Sequence, residues 1–220
     1  MHDLNHDGHL FDNRERFLER ANKINDYSRK WRTEGFRTGG MYRNAEWTDA
    51  FQFDYDMSFP NAAHLEPQRG GSCTVMPYFT GRLLQLPLTT TQDYSLFHIL
   101  GKYSLDLWKE EVKCIASSNG LIAFIVHPDY VIEPRPRLVY QELLQYLSDL
   151  CNGANLWQPL PRDVARWWRE RNLMRIERSG DAWKVVGPGS EQARVAYAQL
   201  EDGRLTYHVE NSSCRETLMG

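Results

Sequence analysis

Two histidines lie four residues apart near the start of the chain. His2 and His6 flank a short polar segment, and a third imidazole, His9, follows them. Imidazoles with this spacing converge on one divalent metal ion if the segment folds as a helical turn or a tight loop. Two solvated histidines in a polar terminus would give the same spacing, so the motif alone does not separate the alternatives. We interpret His9 as incidental.

Another histidine follows the most apolar segment of the chain. Residues 121–126 are all apolar, which is typical of a strand buried on both faces, and His127 comes directly after them. The carboxyl ends of parallel strands are where α/β proteins collect active-site residues. We therefore predict that His127 acts as a general acid or base and that Asp129 orients its ring. The alternative is a structural histidine that caps a strand. Pro128, which ends the strand abruptly, favours the functional interpretation.

Two more polar side chains end predicted strands. Arg37 precedes Gly39 and Gly40, a pattern that suits an arginine anchoring a carboxylate or positioning an oxyanion. A surface arginine that simply precedes a turn would give the same motif, and this alternative is at least as common. Asp56 ends the next predicted strand in the same way. Together with the histidines, these residues follow one another at successive strand ends, which favours a single shared site.

Alternating strand and helix patterns would position these residues. The hydrophobic spacing predicts helices over residues 13–31, 104–117, 138–151 and 161–171, and strands over 36–41, 53–57, 83–88, 121–126 and 156–157. Residues 46–51 predict one or two helical turns, and the Pro- and Gly-rich residues 58–78 predict a long functional loop. This alternation predicts an α/β fold with a parallel sheet closed or covered by helices.

The pattern changes near residue 173. Residues 174–186 and 193–209 alternate around the turn motifs Ser179-Gly180-Asp181 and Glu201-Asp202-Gly203, which predicts two β-hairpins. We therefore predict an α/β domain over residues 1–173 and a small antiparallel β appendage over residues 174–220.

The order of these residues resembles the polysaccharide deacetylase family, also called the NodB-homology or carbohydrate esterase family 4 superfamily, over residues 1–171. His2-Asp3-Leu4-Asn5-His6 resembles the metal-binding motif of that family, Arg37-Thr38-Gly39-Gly40 its arginine motif, and Ile125-Val126-His127 its last motif. Asp56 resembles the strand-end aspartate that tunes the catalytic histidine or the base. The loop around residues 64–71 resembles that of a bacterial subgroup.

The resemblance implies an incomplete (β/α) barrel of the NodB type and a metal-dependent hydrolase that removes acyl groups from amino sugars. It implies that His2 and His6 bind a divalent metal, zinc in our interpretation. Arg37, Asp56 and His127 would be the catalytic residues, with His127 protonating the leaving amine. In the family, a strand with an Asp-Asp pair precedes the histidine motif, and this sequence contains no such pair. We therefore predict an N-terminally truncated barrel that lacks its first strand and has impaired hydrolysis.

Composition excludes some partners. The net charge of −3 offers no strong field to nucleic acid, and no apolar run approaches the ~20 residues that span a bilayer. The four cysteines are scattered without a CxxC pair, which predicts reduced thiols and a cytoplasmic location. The predicted partner is a carbohydrate substrate, and the oligomeric state stays open.

Three alternatives remain. The chain could be a deacetylase-like carbohydrate-binding or regulatory protein without catalysis. It could be a barrel glycoside hydrolase that works with two carboxylates such as Asp56 and Asp129. It could also be an interaction module that binds through residues 174–220.

Overall fold

The structure is a computed structural model that describes residues 1–62, 68–154, 156–180 and 182–209. The chain divides into two compact units, Met1–Ala165 and Arg166–Gly220. The domain boundary near residue 173 stays a prediction. Residues 64–67 of the predicted loop motif, Asp181 of the first turn motif and Cys214 lie outside the described residues.

Four α-helices and eight strands are formed by the described residues. The helices are α1 (Arg14–Trp31), α2 (Asp106–Ser117), α3 (Pro134–Ala154) and α4 (Pro161–Leu173). The strands are β1 (Gly35–Phe36), β2 (Tyr55–Asp56), β3 (Tyr78–Thr80), β4 (Leu83–Gln85), β5 (Arg175–Ser179), β6 (Ala182–Val186), β7 (Ala196–Glu201) and β8 (Arg204–Val209). Each helix in this part of the chain is too short or too polar to cross a membrane.

The α1 helix begins where its sequence supplies a cap. The Asn13 side chain accepts a hydrogen bond from the backbone N–H of Arg16 at 2.9 Å, which satisfies one of the free donors of the first turn. Phe17 and Ile24 are fully buried on one face of the helix and pack against Phe36 of β1. Burial of this stripe fixes the edge of the sheet from which Arg37 emerges.

A mixed sheet forms the centre of the first unit. Its strand order is β1-β2-β4-β3, with β1, β2 and β4 parallel and β3 antiparallel to β4. Phe36, Asp56 and Gln85 are aligned across the three parallel strands. The α/β class with a parallel sheet is confirmed. Among the described residues, the hydrogen-bonded ladder stops at four strands and does not close into the predicted barrel.

Several predicted strands are shorter than their sequence patterns. The strand predicted over residues 36–41 is only β1, because the backbone turns into a 3₁₀-helix at Gly39–Met41, where Gly40 has φ of 61°. The strand predicted over 83–88 ends at Gln85, and Leu88 makes only an isolated bridge to Pro60. The prediction of a strand over residues 156–157 was wrong, since both residues are irregular.

The predicted strand over residues 121–126 was also wrong, for a specific reason. The segment runs beside residues 89–93, but the three backbone hydrogen bonds between them are long, at 3.3–3.4 Å, and threonine side chains make the shorter ones. The Thr89 hydroxyl donates to the Leu121 carbonyl at 2.6 Å and accepts from the Ala123 N–H at 2.9 Å. The Thr90 hydroxyl donates to the Ala123 carbonyl at 2.9 Å. An apolar run therefore lies extended at the expected place without forming a strand.

The helix predicted over residues 104–117 is α2, and it anchors the segment that precedes the candidate site. The Trp108 indole N–H donates to the Thr91 carbonyl at 2.7 Å, and Glu111 accepts hydrogen bonds from the backbone and hydroxyl of Thr91. Trp108 is fully buried and packs with Val139 and Leu143 of α3. Residues 89–93 are therefore held on one side by α2 and on the other by the extended segment.

Candidate active site

His127 is bonded to a buried carboxylate. Its Nδ1 lies 2.7 Å from Oδ1 of Asp93, and its backbone N–H donates to Oδ2 of the same residue. The Asp93 side chain has no solvent exposure, whereas that of His127 is 41% exposed. Since a carboxylate accepts only, the Nδ1 nitrogen carries the proton and Nε2 is left for other chemistry. This arrangement suits a general acid or base that a substrate could reach.

Asp93 was missed in the sequence analysis. Its signal was its position after the polar run Thr89-Thr90-Thr91-Gln92, which follows the strand-like residues 83–88. Its carboxylate also accepts a hydrogen bond from the backbone N–H of Tyr94 at 2.8 Å. Two backbone donors and one imidazole therefore compensate a fully buried charge.

Arg37 lies within electrostatic reach of this pair. Partial burial lowers the pKa of the Arg37 guanidinium, and the negative charge of Asp93 opposes that effect. The side chain emerges directly after β1, so the sheet edge places a cation near the carboxylate that holds His127. Arg37 and Asp93 therefore interact electrostatically at this edge of the sheet.

His2 and His6 are brought together at the same sheet edge. Their ring centroids are 4.9 Å apart with an interplanar angle of 55°. Nδ1 of His2 lies 2.6 Å from the Arg37 carbonyl, to which it donates, so its Nε2 is the nitrogen available to a ligand. The His6 ring lies against Gly39, where a Cβ would be only 3.2 Å from its Cδ2. The turn after β1 therefore holds both imidazoles.

Loss of solvent around the ring lowers the pKa of His2. The hydrogen bond to the Arg37 carbonyl opposes this shift, while the charges of Arg37 and His6 add to it. A lowered pKa favours the neutral imidazole, the form that binds a metal ion.

The side chains near His2 and His6 supply two ligands of a metal site and no more. Within residues 1–62, 68–154, 156–180 and 182–209, no group of three or more His, Cys, Asp or Glu side chains is arranged to hold a metal ion. His9 and Asp7 are committed elsewhere. His9 pairs with Asp12 at 3.1 Å, and Asp7 accepts two hydrogen bonds from Arg20. Catalytic zinc sites ordinarily have three protein ligands.

Asp56 lies in a different environment from the one predicted for it. It ends β2 with 2% exposure, and its Oδ1 accepts hydrogen bonds from the backbone and hydroxyl of Ser58. Burial raises the pKa of Asp56 to about 7, although the Ser58 hydrogen bonds oppose the shift. The carboxylate bonded to His127 is that of Asp93, not Asp56. A glycosidic bond has no access to Asp56 in this structure.

Asp129 is exposed on the 3₁₀-helix Pro128–Val131, and no hydrogen bond joins it to the His127 ring in the described part of the chain. The ring instead contacts Tyr130, with 5.0 Å between centroids. Tyr130 in turn contacts His98 at 4.9 Å and Tyr94 at 5.4 Å. An aromatic cluster therefore flanks the exposed side of the site.

The fold is similar to one solved structure, although no protein-family profile and no curated protein sequence matches the chain. The similar structure is a crystal structure of a Mycobacterium smegmatis protein assigned as a polysaccharide deacetylase, with a TM-score of 0.59 and 15% sequence identity. The likeness covers 82% of this chain and 66% of the other, so the chain spans about two-thirds of that protein's length. At this identity the comparison shows a deacetylase-like fold.

Proposed function

We propose that the chain is a hydrolase of the polysaccharide deacetylase type, which removes acyl groups from amino sugars by attack of water on the amide carbon. The buried Asp93 carboxylate bonded to the accessible His127 ring is the observation that carries the proposal. Arg37, whose guanidinium interacts electrostatically with Asp93 and whose carbonyl accepts from His2, links the pair to the start of the chain. The deacetylase-like fold supports the same proposed function.

In this proposal His127 is the general acid. The ring carries Nδ1–H towards Asp93 and takes a proton from solvent on Nε2, and the resulting imidazolium gives that Nε2 proton to the leaving amine as the carbon–nitrogen bond breaks. Asp93 keeps the ring in the required tautomer and stabilises the imidazolium. The Arg37 guanidinium lies within electrostatic reach of Asp93. Residues in such roles contribute roughly 10²–10⁴-fold each to the rate.

A divalent metal, zinc in our proposal, would be held by His2 and His6, and when bound it would polarise the amide carbonyl and lower the pKa of its water. A third ligand and an aspartate base are missing from the described residues, and the sequence has no Asp-Asp pair. We therefore propose that the 220-residue chain binds metal weakly and hydrolyses slowly.

The test is acetate release from an N-acetylglucosamine tetramer in the presence of zinc. We expect turnover about 10²–10⁴-fold below the ~10 s⁻¹ typical of enzymes, because the base is missing. His127→Ala should remove the remaining turnover. His208→Ala, an exposed histidine on β8, should not change it. Turnover at a typical enzyme rate would contradict the proposed mapping of residues.

A second candidate is a deacetylase-like protein that binds carbohydrate without hydrolysing it. The two-ligand histidine pair favours this candidate, because such a protein needs no complete metal site. Zinc titration followed by calorimetry separates the two. Binding of the tetramer that is independent of zinc and unaffected by His6→Ala, without any acetate release, would support the non-catalytic candidate.

A further inference from the structure

The C-terminal hairpin, β7 and β8, has two chemically different faces. Its register pairs Ala196 with Val209, Ala198 with Tyr207 and Leu200 with Leu205. Since side chains at alternate positions point to one side of a sheet, these pairs share one surface. We call it the apolar face, and it consists of Ala196, Ala198, Leu200, Leu205, Tyr207 and Val209. The opposite, polar face consists of Tyr197, Gln199, Glu201, Arg204, Thr206 and His208.

The apolar face is turned towards solvent. All six of its residues are exposed, with Leu200 at 74% and Tyr207 at 66%. The only half-buried residues of the hairpin are Tyr197 and Thr206, and both belong to the polar face. The apolar face is therefore no better covered than the polar face, whereas a hairpin usually buries its apolar side chains. A two-stranded hairpin is marginally stable alone, so the exposed face calls for a covering surface.

We propose that the apolar face binds the apolar face of a second copy of this chain. A two-fold axis parallel to the strands places β7 of one copy over β8 of the other. Because the paired residues share a level along the strands, Ala198 then faces Tyr207, Ala196 faces Val209, and Leu200 faces Leu205. In two of these three pairs, Ala198 with Tyr207 and Ala196 with Val209, a large side chain meets a small one. Close packing of two sheets requires such pairs.

The size of the surface indicates a weak dimer. The four larger side chains of the apolar face expose roughly 400 Å² per copy, on a scale of about 150–200 Å² for a large side chain. The two copies together would bury about 800–1,000 Å², below the ~1,200 Å² of a stable complex. Interfaces of this size occur in weak, transient complexes, so we expect a reversible dimer whose affinity is measured by the titration.

A carbohydrate is a poorer occupant of this face. Five of the six side chains are aliphatic and have no hydrogen-bonding group, and only Tyr207 has an aromatic ring. Sugar hydroxyls buried against such a surface would lose their hydrogen bonds to water without replacement. A second apolar face has no such cost. The inference does not rest on the proposed hydrolase function, because the hairpin lies in the unit Arg166–Gly220.

The test is sedimentation velocity of the full chain from about 1 to about 300 µM. The average mass should rise from 25.8 kDa towards twice that value. Ala198→Tyr should weaken association at least about tenfold, because it opposes two tyrosines at one level. The double variant Ala198→Tyr with Tyr207→Ala restores one large and one small residue, so it should dimerise again. Gln199→Tyr makes the same kind of change on the polar face and should dimerise like the native chain.

Tyrosine is favoured in strands, so Ala198→Tyr should keep the hairpin, and far-ultraviolet circular dichroism checks this. Several outcomes overturn the proposal: a native chain that stays monomeric throughout, equal association by Ala198→Tyr, or no rescue by the double variant. A monomer that dimerises only after residues 210–220 are removed would assign the face to the tail of the same chain. A monomer that binds the sugar tetramer, and that loses this binding in Tyr207→Ala, would assign it to carbohydrate.

Discussion

Replacing Asp93 by asparagine tests the role of the buried carboxylate without any need for catalysis. In the native chain, the carboxylate accepts from the His127 ring and from two backbone N–H groups. Asparagine has nearly the same volume but offers one acceptor and one donor group in place of two acceptors. The Tyr94 N–H and the His127 ring share Oδ1, whereas the His127 N–H bonds Oδ2, so the single asparagine oxygen can serve only one of these positions. With the oxygen on the His127 N–H, the NH₂ group faces Nδ1 and the neutral ring carries its proton on Nε2. With the oxygen on the other position, the ring keeps its Nδ1 proton and the His127 N–H loses its acceptor.

The cost in stability can be bounded from the same contacts. A hydrogen bond to a charged group contributes about 1.5–3 kcal/mol, and the His127 ring is 41% exposed, so solvent reduces its share. Losing the charge also removes a buried group that is costly to desolvate. We expect Asp93→Asn to lose about 1–3 kcal/mol. For a chain of this size that lowers the melting temperature by roughly 2–4 °C per kcal/mol.

Nitrogen-15 NMR of the His127 ring reads the tautomer directly. The native ring at high pH should have its proton on Nδ1, and Asp93→Asn should weaken this preference and lower the melting temperature. Asp129→Asn is the matched control, because Asp129 is exposed and makes no hydrogen bond to the ring among the described residues. It should change neither the tautomer nor the melting temperature. A native ring with its proton on Nε2 would refute the claim that Asp93 orients His127.

Three more perturbations follow from the structure. Because burial raises the pKa of Asp56 to about 7, the folded chain holds a proton that the unfolded chain has lost. The free energy of unfolding should therefore fall by about 2–4 kcal/mol as the pH rises from about 4 to about 7, in urea titrations. Asp56→Asn should flatten that part of the curve, and an unchanged slope would show that Asp56 is not its source. His6→Ala should weaken zinc binding at least about tenfold by calorimetry, whereas His9→Ala should not, and equal losses would contradict the paired site. Gly39→Val should weaken zinc binding without removing a ligand, because its Cβ would lie 3.2 Å from the His6 ring. Native affinity in that variant would show that the turn does not position His6.

Local signals predicted much of the fold. The α1 helix begins one residue after its Asn13 cap, and α4 begins at the proline that opens its pattern. The two hairpins form where the Gly-containing turns predicted them. Each of these features depends on residues close in sequence. Hydrophobic periodicity and turn-forming residues therefore predict it.

Contacts between distant residues were less predictable. The apolar residues 121–126 have a strand pattern, but three of their hydrogen bonds go to threonine side chains 32–34 residues away, and their backbone bonds to residues 89–93 are long. The carboxylate partner of His127 was of the same kind, because the sequence analysis gave this role to Asp129 and Asp56 and did not consider Asp93. Asp56 and Asp93 both follow strand-like runs, and only the three-dimensional arrangement decides which one reaches the ring.

The exposure of the apolar face of the C-terminal hairpin also lay beyond the sequence. The alternation of β7 and β8 defines two faces, but it does not say whether either one is covered. The rule that apolar residues face inward would have predicted a buried apolar face, whereas all six of its residues are exposed. A surface of this kind is therefore visible only once the exposure of each residue is known.

The central claim is that the histidine pair near the start of the chain and His127 belong to one site. Addition of Mn²⁺ during proton NMR of the His127 ring tests it most directly, because a paramagnetic ion broadens only nearby signals. The account predicts that the His127 ring signals broaden as the ion binds and that His6→Ala prevents this. His127 signals that stay sharp while the ion saturates His2 and His6 would contradict it.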